Sequence, residues 1–420
     1  MKRIISILLA LALLACFAGC GAQEKKTEGF KPSLDTKTAG TVRIVGHYSN
    51  FEALEAEFDE FAKYYPNVDL TYTCLDNYNK IIATTLATAD APEIFFAYPW
   101  MNNGEVLANY GEDLADDALG IDLGCLRPST LLTDDAGCIR MVPIYVTTYG
   151  MLVNEDVFEK NNIKVPETYE ELIAGGEALK KAGYASPVLA HSSLLGFPLY
   201  YPYFCAGVQN NREALEALNG QAPASEEYAR QALELAEDFA GHGFIDTDEM
   251  NGLENDYDAV IKRFFEGDIP MMFASANTVS GTGKRESQSA AFSEHPFRYS
   301  FRPVPSTAEG GYFLNTVSMG FAVNKNSRNL ELANEFMRFL ICTKELNRMA
   351  QAKRMVTPCI DMSLDKVYAA FGGMKDSQII NASELGLADA ADARVRRAGW
   401  QVSAGNMTAD EAVAAFWKLE

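Results

Sequence analysis

Residues 141–172, MVPIYVTTYGMLVNEDVFEKNNIKVPETYEEL, separate two parts of the chain that each alternate strands with helices. The apolar run over about 144–153 predicts a strand. Thr168 and Glu171 then form a T-x-x-E capping pattern, in which the threonine side chain accepts a backbone hydrogen bond at the start of a helix. We therefore interpret the stretch as a crossing from one lobe of the protein to another.

The amino terminus has the pattern of an export signal. Lys2 and Arg3 precede an uncharged apolar run over 4–18 that contains one serine. The run is long enough for the hydrophobic part of a secretory leader and short for a membrane span. We predict that residues 1–19 form a leader and that the mature protein works outside the cytoplasm.

The leader ends in Phe-Ala-Gly-Cys, which resembles a bacterial lipobox and predicts that Cys20 carries a lipid. Cys16 is a competing acceptor, and an ordinary cleaved signal with an incidental cysteine is a further alternative. Residues 20–40 are polar and lack apolar periodicity, so we predict a flexible tether. The expected location is the extracellular face of the cell membrane or the periplasm, with the membrane contacted through the lipid only.

Charge and cysteine spacing exclude several classes of function. The formal net charge of −21 offers no basic surface to nucleic acid. Six cysteines follow Cys20, with no C-x-x-C pair and no cysteine–histidine cluster, so we expect no metal site and no cofactor. Cys125 and Cys138 flank one loop and form the candidate disulfide. We expect a monomer.

The first region repeats a strand–helix pattern that predicts a parallel sheet. Its predicted strands cover about 41–46, 68–73 and 93–97, with amphipathic helices between them. In such a sheet the ligand crevice lies at the carboxyl ends of the strands. The loops at those ends supply the candidate ligand-binding residues Asn50, Asp76, Tyr98 and Trp100.

Trp100 carries most of the argument for a ligand in this region. A tryptophan beside Tyr98 in a strand-end loop offers an apolar plate with polar neighbours, which suits the C–H face and the hydroxyls of a sugar. The alternative is that Trp100 packs beneath its own loop. Asn50 stands at the first turn of a helix, where it can meet either the backbone or a ligand.

The chain resembles family 1 extracellular solute-binding proteins of ABC importers over roughly 40–415. The resemblance begins in the stretch quoted above, where N-x-D-x-F precedes P-x-T-Y-x-E-L, and continues through an F-x-x-G segment at Phe264, a P-x-P strand end and a final G-x-x-T helix start. The residues of the central motif are Pro143, Asn154, Asp156, Phe158, Pro166, Thr168, Tyr169, Glu171 and Leu172.

The resemblance implies an α/β, two-lobed periplasmic-binding-protein fold of class II type, in which each lobe is a mainly parallel sheet flanked by helices. It places 41–146 plus about 296–345 in the first lobe and 147–295 plus about 346–420 in the second. Further crossings are expected near 280–295 and 341–348.

The resemblance also implies ligand-binding residues on the second lobe and at the crossings. Tyr200 and Tyr203 belong to a stretch that approaches the cleft in the family, although aromatic residues at helical spacing are also typical of a core. Asn277 stands where the family has a cleft tryptophan, which favours a hydrogen bond over stacking. Thr147 and Thr148 lie at the predicted cleft floor, with strand pairing as the alternative, and Asn315 completes the set.

These observations favour capture of a sugar or short oligosaccharide and its delivery to the transmembrane subunits of an ABC permease. A ferric-ion or other small-solute binding protein remains an alternative, because Tyr200 and Tyr201 resemble the paired tyrosines of iron-binding relatives. A secreted polysaccharide-active enzyme is a further alternative. No G-x-S-x-G, H-E-x-x-H or Walker A motif supports it, so we expect no enzyme activity.

Overall fold

The computed structural model describes residues 29–253 and 256–419. The chain divides into two compact units, Met1–Lys31 and Pro32–Glu420, and the fold belongs to the second. The predicted leader over 1–19, the lipid attachment at Cys20 and residues 20–28 of the tether lie outside the described residues. Within the described part of the chain, no helix has the length and apolar character needed to cross a membrane.

Ten strands form two sheets. The strands are β1 (Gly40–Gly46), β2 (Val68–Cys74), β3 (Ile94–Ala97), β4 (Val142–Thr147), β5 (Tyr149–Asn154), β6 (Val188–Leu189), β7 (Met271–Ser275), β8 (Tyr299–Arg302), β9 (Phe313–Val323) and β10 (Ile379–Asn381). The first sheet has the order β10-β9-β3-β1-β2, with β4 also paired to β9. The second has the order β6-β7-β5-β8.

The helices pack on these two sheets. They are α1 (Glu52–Ala62), α2 (Tyr78–Leu86), α3 (Glu105–Tyr110), α4 (Glu155–Lys160), α5 (Tyr169–Lys181), α6 (Phe197–Val208), α7 (Arg212–Asn219), α8 (Arg230–Gly241), α9 (Thr247–Gly252), α10 (Tyr257–Phe264), α11 (Ala276–Ser280), α12 (Thr282–Gln288), α13 (Ala290–Glu294), α14 (Leu330–Leu340), α15 (Thr343–Lys353), α16 (Asp389–Ser403) and α17 (Ala409–Ala415). We call the first sheet with α1–α3, α14 and α15 the first lobe, and the second sheet with the remaining helices the second lobe.

The chain passes from the first sheet to the second at a single residue, Thr148. β4 ends one residue before it and pairs with β9, whereas β5 begins one residue after it and pairs with β7 and β8. The carbonyl of Thr148 accepts the N–H of Ala276, at a distance of 2.9 Å, which ties the crossing to the start of α11. The apolar run predicted as one strand is therefore two strands with different partners.

The two sheets differ in strand direction. β1 runs parallel to both β2 and β3, as the repeated strand–helix pattern predicts. In the second sheet β5 is antiparallel to both neighbours, and only β6 and β7 run parallel. The expectation of a mainly parallel second sheet is wrong because β5 enters directly from the crossing, without the helical connection that a parallel neighbour requires.

Two predicted lobe boundaries are misplaced. Strand β8 pairs with β5 and so belongs to the second lobe, although residues from 296 onward were assigned to the first. Helix α15 packs on α1 and β4, so the chain is still in the first lobe beyond residue 345. It reaches the second lobe at the 3₁₀ helix Lys366–Phe371, which packs on β8. Strand spacing in a sequence does not indicate which sheet edge a strand will join.

The last predicted boundary also misses a strand that returns. β10 lies within 346–420, yet it pairs with the beginning of β9 in the first sheet. Leu314 and Ile380 from this pair are buried among the second-lobe helices α6, α8 and α16. This corner therefore belongs to both lobes.

Part of the predicted tether is bound to the first lobe. The backbone N–H of Ser33 donates to Glu335 Oε1 at 2.9 Å, and its hydroxyl donates to Glu335 Oε2 at 2.7 Å. The N–H of Leu34 donates to the hydroxyl of Tyr65 at 3.2 Å. Residues 33–40 thus lead into β1 along α14 and are not a flexible tether. The buried carboxylate of Glu335 explains their order, because it needs these donors.

The capping pattern that opened the sequence argument forms a helix start. Thr168 accepts the N–H of Glu171 at 3.2 Å, and α5 begins at Tyr169. The carboxylate of Glu171 accepts the N–H of Glu167 rather than that of Thr168. The apolar face of α5 then buries Leu172 and Leu179 in the core beneath the second sheet.

Candidate ligand-binding cleft

The first wall of the candidate site forms where three parallel strands end. β1, β2 and β3 are followed by the loops that carry His47, Asp76 and Tyr98 respectively. Together with Lys80 and Trp100 these loops line a cavity of about 470 Å³. The wall is thus at the carboxyl edge of a parallel arrangement, where α/β sheets bind their ligands.

Trp100 is the most exposed large apolar side chain in the described part of the molecule, at 63%. It lies in the short 3₁₀ helix Pro99–Met101, whose first residue is a proline that suits a helix start. Its ring stacks on Tyr98 with centroids 5.9 Å apart and planes 6° from parallel. The second face of the Trp100 ring is free to meet a ligand, and the alternative of a ring packed beneath its loop does not apply.

Tyr98 and His47 hold this wall together without charge. The Tyr98 hydroxyl hydrogen-bonds to Nδ1 of His47. Burial raises the pKa of Tyr98, while burial and the positive charge of Lys353 lower the pKa of His47. Both rings are therefore neutral at pH 7 and act as hydrogen-bonding groups beside the tryptophan.

The second wall comes from α16, β5 and the start of α6. Tyr149, Phe197, Arg396, Arg397 and Trp400 line a cavity of about 580 Å³. The Trp400 ring is half-buried, and its Nε1 donates to the carbonyl of Ser192 at 3.1 Å. The Arg397 guanidinium lies 5.7 Å from the centre of that ring. This wall therefore also combines an aromatic face with polar groups.

Arg396 is fixed in place by its neighbours. Its guanidinium lies 4.3 Å from the ring of Tyr201 and 4.9 Å from that of Phe197, and its Nε donates to Asp392 Oδ2 at 2.6 Å. Although burial opposes its charge, Tyr201 and Asp392 raise the pKa of Arg396. The side chain therefore stays protonated and presents a fixed cation to the cavity.

A third cavity, of about 260 Å³, joins the two walls. It is lined by Pro99 and Thr316 from the first lobe and by Tyr201, Asp392 and Arg396 from the second. Pro99 is the immediate neighbour of Trp100, and Arg396 also lines the second wall. We call the three cavities together the cleft.

The predicted site residues separate into two groups. Asp76, Tyr98 and Trp100 line the first wall. Asn50 does not, because its side chain bonds to both the N–H and the carboxylate of Glu52 in a local turn. Asn315 is buried and donates to Asn381 Oδ1 at 2.8 Å, so it joins β9 to β10.

The remaining predicted residues serve packing or contacts between the lobes. Tyr200 touches the second cavity but is only 1% exposed, and its hydroxyl donates to the carbonyl of Arg396 at 3.0 Å. Tyr203 packs against the same helical core. Asn277 is exposed and accepts a bond of 3.1 Å from Ser318 of β9, which links α11 to the first sheet.

Thr147 and Thr148 are buried at the crossing. Their hydroxyls have no hydrogen-bond partner within the described residues, and neither residue lines the cleft cavities. Thr147 pairs with Thr316, which does line the third cavity. Strand pairing is therefore the role that the geometry gives them.

Sequence reasoning missed most of the second wall. Trp400 was expected in a core, and Arg396 was not considered at all. The available signal was the pair of arginines three and four residues before Trp400, which places basic groups on the same helical face as the ring. A face that carries two arginines meets solvent or a ligand rather than a core.

The paired tyrosines do not form a metal site. The hydroxyl of Tyr201 donates to Asp392, and Tyr200 is bonded as described above. Among residues 29–253 and 256–419, no group of three or more histidine, cysteine, aspartate or glutamate side chains is arranged to hold a metal ion.

Comparison with known proteins identifies the family. The model of the family described as "Bacterial extracellular solute-binding protein" matches residues 46–344. The chain belongs to this family. Members act outside the cytoplasm and bind solutes, which agrees with the predicted export and with the two-walled cleft.

Individual relatives are distant but cover nearly the whole chain. The melibiose/raffinose/stachyose-binding protein MelE of Bacillus subtilis is 21% identical over 382 residues, which cover 88% of this chain and 84% of MelE.

Solved structures match over a similar span. The GacH receptor of Streptomyces glaucescens, described free and with acarbose, superposes with a TM-score of 0.66 at 16% identity over 91% of this chain and 97% of that one. A sugar transporter from Bacillus licheniformis in complex with stachyose gives a TM-score of 0.61 at 16% identity over 91% and 100% of the two chains. At these identities the structures establish the two-lobed α/β fold.

Proposed function

We propose that this protein captures an oligosaccharide in the cleft and delivers it to an ABC importer. The observation that carries the proposal is the pair of aromatic faces, Trp100 on the first wall and Trp400 on the second, each beside polar groups. Sugar rings present C–H faces that stack on aromatic rings and hydroxyls that need hydrogen-bond partners. Both needs are met on each wall.

The polar groups suit hydroxyl recognition. Asp76 offers acceptor oxygens on the first wall, where the neutral His47 and Tyr98 add a donor and an acceptor. Arg396 and Arg397 are donors only, so the second wall favours ligand oxygens. The named ligands of the relatives, which include raffinose, stachyose and acarbose, support an oligosaccharide as the solute class.

Binding is coupled to movement of the lobes about the crossings. A ligand that touches both walls stabilises the arrangement in which they are close, and so shifts an open–closed equilibrium. Thr148 is the single residue between β4 and β5, which makes it one pivot. A second contact is Arg354, whose Nη1 donates to Thr282, Glu286 and Tyr299 on the other lobe at 2.7–2.8 Å.

The transport role adds three further elements to the proposal. A lipid on Cys20 keeps the protein beside the membrane, and the transmembrane subunits of the permease accept the ligand from the closed form. The protein works as a monomer, since one chain supplies both walls. Capture involves no chemical conversion of the solute, in keeping with a family of solute-binding proteins.

A thermal-shift screen tests the solute class. Raffinose, stachyose, a xylo-oligosaccharide and an acarbose-like inhibitor are compared with an amino acid mixture, a polyamine and ferric ion. At a hundredfold excess over Kd, a true ligand stabilises the folded state by about 2.7 kcal/mol. We expect at least one oligosaccharide to raise Tm. A rise with ferric ion or amino acids alone, and none with any sugar, overturns the proposal.

A further inference from the structure

Two distant cysteines meet beside the segment that leads to the last crossing. Cys125 ends the 3₁₀ helix Leu123–Cys125, and Cys359 lies in the extended segment after α15. Leu126 and Cys359 form an antiparallel bridge. The N–H of Ile360 donates to the carbonyl of Cys125, and the N–H of Arg127 donates to that of Pro358, both at 2.9 Å.

This pairing gives the separation that a disulfide needs. Facing residues in an antiparallel bridge have Cα atoms about 4.5–5.5 Å apart, and residues offset by two are about 7–8 Å apart. Cys125 and Cys359 are offset by one, which places them between these values and within reach of the roughly 4.4–6.8 Å span of disulfides. The thiols are hydrogen-bonded to each other.

We propose that Cys125 and Cys359 form a disulfide bond in the exported protein. The bond replaces the one predicted between Cys125 and Cys138. Cys138 belongs to a separate hairpin, where its N–H donates to Asp134 Oδ1 at 2.8 Å and its carbonyl accepts the N–H of Asp134 at 2.9 Å. The site of export is oxidising, whereas the cytoplasm keeps thiols reduced.

The two thiols are suited to different steps of the reaction. The hydrogen bond from Cys125 lowers the pKa of Cys359, whereas the same bond and burial raise the pKa of Cys125. Cys359 is therefore the attacking thiolate. It displaces one sulfur of an oxidising protein disulfide to give a mixed disulfide, and Cys125, on losing its proton, displaces the second sulfur. The oxidant leaves as a dithiol, having gained the two electrons and two protons.

Burial determines when the bond forms. Cys359 is fully buried in the folded protein, so the oxidant reaches it only while the chain is folding outside the cytoplasm. Once formed, the bond is equally inaccessible to reductants. It joins the loop before Pro128 to the segment that bridges Val146 of β4 through Val356, and so holds the first-lobe end of the last crossing in place.

Peptide mapping of the exported full chain tests the proposal. The protein is denatured with an alkylating reagent present and reductant absent, digested and analysed by mass spectrometry. We expect a linked peptide pair that contains Cys125 and Cys359 and lacks two hydrogen atoms. Alkylation of both residues overturns the proposal, and so does a link from Cys125 to Cys138 or to Cys342, whose sulfur lies near the same pair.

Thermal unfolding with and without reductant gives a second readout. We expect reductant to lower the Tm of the wild type by several degrees and to leave Cys359→Ser unchanged. Cys205→Ser is the matched control, since Cys205 is equally buried but lies in the second-lobe core. It should respond to reductant as the wild type does. A wild-type Tm insensitive to reductant contradicts the bond, and if Cys359→Ser does not fold, the peptide map alone decides.

Discussion

The two walls of the cleft present similar chemistry on different supports. Trp100 stands on a strand-end loop, stacked on one neighbouring ring and widely exposed. Trp400 stands within α16, half-buried and bonded to Ser192, and its helix is packed tightly against α6. The loop-borne wall can adapt to a ligand, whereas the helix-borne wall is fixed before the ligand arrives. Substitutions in the first wall should therefore change affinity, and those around the second should first change stability.

The largest expected effect is on the support of the second wall. A Cβ added at Gly399 of α16 would lie 2.2 Å from the ring of Tyr200, which is too close for any side chain. We expect Gly399→Ala to destabilise the protein by about 3 kcal/mol, because the buried Tyr200 ring cannot move away. Chemical denaturation, followed by circular dichroism, measures the change.

Gly207 on α6 supplies the matched control for that substitution. A Cβ there meets nothing within 4 Å, and its backbone is helical. Gly207→Ala should be neutral or stabilise the protein by roughly 0.5–1 kcal/mol. If Gly399→Ala is equally harmless, the second wall is not held by close helix packing and the comparison fails.

The next effect is on affinity at the first wall. Trp100→Ala removes the exposed ring, and we expect the affinity for the best sugar of the screen to fall about thirtyfold, or about 2 kcal/mol. Trp100→Phe keeps an aromatic face and should lose much less. Isothermal titration calorimetry measures both. An unchanged affinity in Trp100→Ala would remove stacking on the first wall from the proposed function.

A smaller loss is expected at the second wall. The Trp400 ring is half-buried and already has Arg397 near it, so less of its face is available to a ligand. Trp400→Phe should weaken binding by about fivefold, or about 1 kcal/mol. Trp417→Phe is the control, because that ring packs on the second-lobe core away from the cleft. Equal affinities for both variants would leave the first wall as the sole aromatic contact.

The contrast between the walls also explains what the sequence could reveal. The first wall follows from local patterns, because alternating strands and helices predict a parallel sheet and its ligand edge. Asp76, Tyr98 and Trp100 were found in this way. The second wall depends on α16 packing against α6 and β5, contacts between residues about 200 positions apart. Periodicity assigns a helix to Trp400 but does not say what lies against its faces.

The lobe boundaries were unpredictable for a related reason. The segment that forms β8 has a recognisable strand pattern, yet its partner is the edge of β5, which no local signal specifies. β10 is three residues long and gains its place from pairing with β9 and from burial of Ile380 among second-lobe helices. The resemblance supplied the number of crossings, and pairing in three dimensions determines where they fall.

The smallest expected effect is a pH dependence confined to the first wall. Burial, assisted by Lys353, lowers the pKa of His47 below its ordinary value of 6.5, so the unfolded chain binds a proton there before the folded protein does. Stability from this group is therefore fully present above about pH 6.5 and is lost as the pH falls toward the lower pKa of the folded state. His47→Gln removes the titrating group and keeps a hydrogen-bonding side chain beside Tyr98. We expect the fall in Tm between pH 7.5 and pH 5 to be smaller in His47→Gln than in the wild type. The exposed His295, for which substitution by glutamine should leave that fall unchanged, controls for general charge effects. Equal falls in the wild type and His47→Gln would mean that the hydrogen bond between His47 and Tyr98 persists when the histidine is protonated, and that the first wall is no more sensitive to pH than the second.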